Sequence, residues 1–418
     1  MIDNSKKQLL KNTFFLYILT FSSQVLALIT IPYQTRVLTP ETYGVVGVAI
    51  SVMTFMSLVL DFGILLSATS KVAQHAENTV FLSHLYGNVF ALKGISAIIC
   101  GCCLAVACCS SPYHSRYFLL YALYYLAYVA AAMLPDYLYR GLERMKVITF
   151  RTVAIRAFAT ACTFIFLHSD SDVLALPICL LVGNVTALAV CLRYDRRVFG
   201  IHLHRPTVVE VRLLAKDSLP FFFSRISSTV YSTANPIVLN MFYAGLPVVG
   251  FYSASEKFLS VSKSIVSPIA DSLYPYMVKN KDFRLVKKIL LTTTPFIVVG
   301  AAVLYIYANQ ICEFVFGPSY VEAGMIVRCL LPAIMVIFPS YVICFPVLVP
   351  LGLSSRANFS NFIGLCVQLL ALIILVVTDY FNVYTMCLAT SAAEVSVFIY
   401  RLSVIARYQK TAKSMNSR

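Results

Sequence analysis

Apolar runs of about twenty residues, the length that crosses a bilayer as a helix, recur along the whole 418-residue chain. Short polar breaks separate twelve of them, at approximately 12–32, 43–69, 85–109, 117–138, 147–167, 173–193, 219–243, 247–275, 289–309, 322–348, 359–378 and 383–402. A basic start (Lys6, Lys7, Lys11) precedes the first run, which is too long for a signal-peptide core and reads as an uncleaved span. Several runs carry a second, polar pattern. In "FYSASEKFLSVSKSIVSPIADSLYP" (251–275), winding at about 100° per residue gathers Ser253, Glu256, Ser260, Lys263, Ser267 and Asp271 on one stripe. Phe251, Ala254, Phe258, Val261, Ile265 and Ile269 take the other side, so the polar stripe must face something wet. Span seven repeats the pattern with Arg225, Ser228, Thr229 and Ser232 on one face, Asn235 at its edge and a kinking Pro236 after it. Span one aligns Thr13, Tyr17, Thr20 and Gln24, and span two aligns Thr54, Ser57 and Asp61.

These polar faces predict an all-α polytopic membrane protein with about 12 transmembrane helices in two six-helix lobes around a central hydrophilic cavity. The longest hydrophilic connection, residues 193–218, marks the division into an N-terminal lobe (1–205) and a C-terminal lobe (206–418). Its second part suits a short amphipathic helix at the membrane surface.

Composition agrees with the pattern. Hydrophobic residues make up 59% and charged residues only 12%, against about 25% charged in soluble domains. The net charge of +15 is distributed unevenly. With the N-terminus inside, cytoplasmic segments carry about 25 Lys/Arg and the outer loops only Arg36 and Arg116, which places both termini in the cytoplasm. The surplus is therefore a topology signal and not a nucleic-acid site. The thirteen Cys, five of them in "CGCCLAVACC" (100–109), read as small apolar side chains within a span and not as a metal cluster.

Charges inside spans are the informative exceptions, because each costs about 2.5–3.5 kcal/mol at the bilayer centre unless it meets a partner or water. Lys93, Arg156, Arg225, Lys257, Lys263 and Arg328 lie within spans, beside Asp61, Asp136, Glu256, Asp271 and Glu394. Two plainer readings stand beside a cavity: Glu256 and Lys263 pair with each other, and Arg328 and Arg401 reach the membrane surface. A cleft with surplus cations suits an anionic substrate, since Arg and Lys hold phosphate through charge-assisted hydrogen bonds.

Little points to catalysis. No G-x-x-x-x-G-K-[ST] occurs. "DSD" (170–172) has the D-x-D form of glycosyltransferases but falls in a tight outer turn, and His202-x-His204 falls in the basic connection; both read as solvated loops. No nucleophile–base constellation stands out, and neither a cofactor nor a metal is called for.

Three separated strings carry a resemblance. "NTFFLYILTFSSQVLALITIPYQTRVLTPETYGVVGVAISV" (12–52), with Pro32, Tyr33, Arg36, Tyr43 and Gly44, resembles the start of Wzx-type O-antigen and capsular polysaccharide flippases. "MLPDYLYRGLERMKVITFRTVAIR" (133–156) resembles that family's P-x-W-x-x-Q-G-x-E-x-M segment, with Tyr137 for Trp and Arg140 for Gln. "VVGFYSASEKFLSVSKSIVSPIADSLYP" (248–275) resembles its G-x-Y-x-x-A-E-K segment. The family sits in the multidrug/oligosaccharidyl-lipid/polysaccharide exporter superfamily. The resemblance implies two six-helix lobes and the transfer of an undecaprenyl-diphosphate-linked oligosaccharide to the outer leaflet of the bacterial cytoplasmic membrane. Membrane lipids, a polysaccharide polymerase and chain-length machinery are the partners that go with that task.

On this reading Arg225, Lys257 and Lys263 lead as diphosphate ligands. Arg156, Lys93, Asn235 and Gln24 join them along the cavity, and Arg36 stands at the outer mouth. Asp61, Glu394 and Glu256 are the candidates for coupling to H⁺, Na⁺ or the membrane potential. A cation-coupled small-molecule or drug antiporter of the same superfamily is the alternative, and a membrane glycosyltransferase or polymerase a more distant one.

Overall fold

The computed structural model describes residues 2–416, without the side chains of 2–13, 16, 224, 227–233, 268, 272, 275 and 410–416. Every regular element among the described residues is helical. The chain divides into two compact units, Met1–Thr229 and Val230–Arg418.

The first unit begins with α1 (Ile2–Val37) and α2 (Pro40–Asp61). Thr39 caps α2 by accepting from the Thr42 amide, and Pro40 supplies a first-turn residue with no amide to satisfy. Helix α2 ends where Phe62 and Gly63 turn to positive φ, and α3 (Ile64–Gln74) resumes at once. Helix α4 (Thr79–Cys109) starts on the Asn78 side chain, which accepts from the Phe81 amide at 3.0 Å. Then come α5 (Pro112–Arg116), α6 (Phe118–Ala132), α7 (Asp136–Gly141), α8 (Met145–Phe166) and α9 (Ala175–Val198). Helix α1 packs on α8, α6 on α9, α8 on α9, and α3 on α7. The first part of α10 (Val208–Tyr243) completes this unit, so it ends inside a helix and not in the polar connection. The cause is local: Leu214 is buried in the cluster formed by Ile64, Ala68, Val72, Leu85, Tyr86 and Tyr137.

The second unit holds the rest of α10 with α11 (Pro247–Asn280), α12 (Phe283–Ile306), α13 (Ala308–Phe316), α14 (Ala323–Leu348), α15 (Ser354–Val377) and α16 (Val383–Asn416). Helix α14 is its axis, packed by α11, α12, α13 and α16. It is the most buried of the membrane-length helices, with Met325, Pro332 and Phe345 exposed along it.

Among the described residues, nine helical stretches are long and apolar enough to cross a membrane: Pro40–Gln74, Thr79–Cys109, Phe118–Gly141, Met145–Phe166, Asp170–Val198, Phe283–Ile306, Ala323–Leu348, Ser354–Val377 and Val383–Gln409. The protein is a multi-pass membrane protein. The remaining expected spans, 12–32, 219–243 and 247–275, are helical as parts of α1, α10 and α11.

The apolar side of α11 is only partly packed against protein. In α11 the side buried against α14 is Tyr252, Ser255, Leu259, Val266, Ala270, Leu273 and Met277, and Ser255 is fully covered with its hydroxyl on the Ala323 carbonyl. Of the apolar side read from the sequence, Phe251 and Ala254 are buried, whereas Ile265 and Ile269 are 63% and 42% exposed. An apolar side chain on a membrane helix is as stable against lipid as against protein, so apolarity alone does not choose the packed face.

Candidate functional site

In the first unit, two of the charges within expected spans meet where α2 adjoins α10. Arg225 Nη1 lies 2.6 Å from Asp61 Oδ2, with the Arg side chain 40% exposed and the Asp 18%. Neighbouring contacts fasten the same junction. Lys71 and Asp217 pair at 2.6 Å, the Ser67 and Ser218 hydroxyls lie 2.6 Å apart, and Phe62 stacks on Phe222 at 4.9 Å. Gly63 is required here twice over: its φ is +74°, and a Cβ would come 2.5 Å from the Ser218 carbonyl oxygen. Arg156 is exposed on α8 beside Tyr128, which also neighbours Thr54. Gln24 is half-buried on α1, and Arg36 is exposed in that helix's last turn. The side chains of Thr13, Ser228, Thr229 and Ser232, placed on polar faces by the sequence, lie outside the described residues.

Lys93 is placed differently from these. It is 5% exposed, its ammonium donates to the Ala132 carbonyl at 2.6 Å, and it sits 5.7 Å from the centre of the Tyr137 ring. A carbonyl and a ring face replace an anionic partner for this buried cation.

The second unit holds a matching pair. Lys263 Nζ lies 2.7 Å from Glu394 Oε1, with the two side chains 27% and 8% exposed. The expected pairing of Lys263 with Glu256 is therefore not the one formed. Glu256 and Lys257 are half-buried, and neither makes an ion pair with another described residue. Asn235 is buried within a polar triad: its amide donates to Thr390 Oγ1 at 2.8 Å and its carbonyl accepts from Gln368 Nε2 at 2.7 Å. The triad ties the end of α10 to α15 and α16, and it satisfies groups that lipid would leave unpaired.

Three buried charges escaped the sequence reading. Arg401, expected at the membrane surface, is 5% exposed and donates to Ser340 O, Ser340 Oγ, Ser360 Oγ and Asn361 Oδ1 at 2.7–3.0 Å. Length and flexibility suggested snorkelling, but these four acceptors make burial the cheaper state. Arg328, which the sequence places within a span, is not one of the three: it is half-buried and held at the α12–α13 corner by the Tyr305 carbonyl and Asn309. Asp195, in the basic string "RYDRRVF", is 1% exposed and accepts from Tyr86 at 2.8 Å and Tyr139 at 2.7 Å. Its signal was present: Ala187, Cys191 and Asp195 follow one another at four-residue spacing along the buried face of α9. Arg151 is the third. Its Nη2 bonds Asp136, with the Arg side chain 9% exposed.

The motifs read as structural have structural partners. Asp170 of "DSD" accepts from the Thr39 amide at 2.8 Å and the Thr39 hydroxyl at 2.7 Å, and Asp172 accepts from Ser169 and the His168 amide. The His204 ring lies tilted against that of His84, with ring centres 3.9 Å apart. Nearby, the Asn88 amide donates to Glu210 at 2.9 Å and holds that exposed carboxyl below the ordinary glutamate value. Among the described residues no three His, Cys, Asp or Glu side chains group to hold a metal, and the Cys are unpaired thiols.

Residues 9–281 match the family described as "Polysaccharide biosynthesis protein". The chain belongs to that family. Two proteins each named "Putative O-antigen transporter" are among its relatives. The one from Shigella dysenteriae is 24% identical over 416 residues, covering 94% of this chain and 99% of the relative. The one from Escherichia coli (strain K12) is 24% identical over 337 residues, covering 79% and 81%. Among solved structures, "Lipid II flippase MurJ, inward closed conformation" aligns with a TM-score of 0.68 at 14% identity, covering 94% of this chain and 87% of that one. An inward-facing multidrug resistance MATE family transporter of the MOP superfamily aligns at 0.66 and 13% identity, covering 94% and 95%. At these identities the structural likeness establishes the fold. The chain is thus a multi-pass membrane member of the polysaccharide biosynthesis protein family, with the fold shared by those MurJ and MATE structures.

Proposed function

We propose that the chain moves an undecaprenyl-diphosphate-linked oligosaccharide, the repeat unit of an O-antigen, capsule or exopolysaccharide, from the inner to the outer leaflet of the bacterial cytoplasmic membrane. It does so by alternating access between two six-helix halves, with both termini cytoplasmic. The observation that carries this reading is the pair of ion pairs inside membrane helices, Asp61–Arg225 and Lys263–Glu394, each with a partly exposed cation.

A diphosphate offers more charge and more acceptor oxygens than a carboxylate, so it competes for both cations. When it takes Arg225 or Lys263, the released Asp61 or Glu394 becomes a bare carboxylate within the membrane. Binding H⁺ or Na⁺ there restores the balance and links transport to an ion gradient. Arg156 and Lys257 add positive field, Gln24 offers an amide to sugar hydroxyls, and Arg36 receives the substrate at the outer mouth. Lys93 and Asn235 are assigned instead to holding the helices, since their donors are already engaged. Outward movement of two negative charges gains roughly 2.3 kcal/mol each per 100 mV, so resetting the empty cationic cleft is the step that needs the ion. The names of the Shigella and Escherichia relatives support the substrate class.

Purified protein in liposomes with labelled lipid-linked glycan tests this directly. The expected result is glycan reaching the opposite leaflet, faster with an ion gradient than without one. Drug-driven cation flux with no glycan movement would instead make it an antiporter of the same fold, and glycan extension without movement would make it a polymerase.

A further inference from the structure

A groove on the first unit takes no part in the proposed transport path. Helices α8 and α9 part to leave a cavity of about 670 Å³. Its walls are apolar, and Phe150, Phe158, Val182 and Val190 are exposed along it. From Val147 to Phe158 it runs eleven residues of α8, or about 16 Å, close to the ~15 Å of one bilayer leaflet.

One end is chemically different from the rest. Arg151 lines the groove there, its side chain only 9% exposed, and its Nε–H meets no acceptor among the described residues. A buried donor of this kind calls for an acceptor. The neighbouring helix ends, α8 starting and α9 finishing, expose Arg144, Lys146, Arg193, Arg196 and Arg197 against one exposed acid, Glu143. Asp195, within the same stretch, is buried and already bonded by Tyr86 and Tyr139. The charge asymmetry of the chain assigns this end to the cytoplasmic leaflet.

We infer that the α8–α9 groove is a binding site for one anionic glycerophospholipid of the cytoplasmic leaflet, its acyl chain along the apolar wall and its phosphate at Arg151 within the basic collar. Basic pockets between membrane helices on this side characteristically take anionic headgroups. The cavity matches a tail one leaflet deep, not a far longer polyprenyl chain. Its lining holds no amide side chain for a glycan, and of its hydroxyls that of Tyr139 is already bonded to Asp195. Arg156, assigned to the transport face, lies five residues on, about 140° around α8 from Arg151.

The test uses the full-length protein in nanodiscs of equal phosphatidylglycerol and phosphatidylcholine with matched acyl chains, released into mild detergent for native mass spectrometry. One phosphatidylglycerol per chain should be retained, about tenfold over phosphatidylcholine, as expected when one or two basic groups engage the headgroup. Ala154→Phe fills the groove from an exposed position and should abolish that retention while leaving the helix content unchanged. Arg151→Gln should remove the preference for the anionic lipid; because Arg151 also pairs with Asp136, Ala154→Phe decides the matter if that variant fails to fold. Equal retention of the two lipids, retention undiminished by Ala154→Phe, or displacement from this groove by added undecaprenyl diphosphate would each overturn the inference. None of these readouts depends on transport.

Discussion

The Arg225 guanidinium lies 2.6 Å from the Asp61 carboxylate, fastening α10 to the end of α2. The pair is partly exposed, so screening limits its worth to stability to about 1 kcal/mol or less. Its cation matters more than its strength. Arg225→Ala and Asp61→Ala should each leave the protein in the membrane at near-normal level. Arg225→Ala should abolish glycan transport, and the swapped pair Asp61→Arg with Arg225→Asp should restore thermal stability but not transport. Normal transport in Arg225→Ala proteoliposomes would remove this residue from the substrate path.

Lys263 and Glu394 behave as a more buried pair, and the carboxylate is the more enclosed partner. Lys263→Ala leaves that carboxylate without its cation, at a cost of about 3 kcal/mol. Replacing both with apolar residues, Lys263→Met with Glu394→Leu, should recover most of the lost stability in a thermal-shift assay. Transport should stay absent in the double variant. Recovery of both properties together would make the pair purely structural.

Arg401 satisfies four acceptors on three side chains and one carbonyl, with no carboxylate among them. Only a planar fork reaches this set, so Lys retains the charge and loses most of the bonds. Arg401→Lys should destabilise the fold by about 3 kcal/mol, at the upper end for hydrogen bonds involving a charge. The comparison to make is the melting temperature in detergent against Arg407→Lys, an exposed control.

Asp170 caps the start of α2 through Thr39. Asp170→Ala should therefore cost about 1 kcal/mol, the ordinary loss at a helix cap, and leave the rate of transport per folded molecule unchanged. A metal-dependent transfer reaction would behave otherwise, losing activity completely at full stability. Transport assays normalised to folded protein separate these outcomes.

The amino-acid sequence by itself determined the class of protein: runs of twenty apolar residues leave a bilayer as the only solvent in which the chain is content, and the placement of Lys and Arg carries an orientation. It also marked Asp61, Arg225, Lys263 and Glu394, because a charge in such a run is costly enough to need a reason. The strings at 12–52, 133–156 and 248–275 carried the resemblance to the family that the match over 9–281 establishes. Tertiary structure decided who pairs with whom. Lys263 has Glu256 seven residues away on its own helix, yet meets Glu394, 131 residues on, and no local rule ranks those options. It decided which apolar face is packed, since Leu259 and Ile265 of α11 are equally at home in lipid and in a core. It also hid Asp195 and Arg401: the first lies in a basic string that reads as surface and the second at the end of an apolar run from which its side chain was expected to reach the surface, and burial became favourable only where Tyr86 and Tyr139, or Ser340, Ser360 and Asn361, converged from other helices to complete their hydrogen bonds.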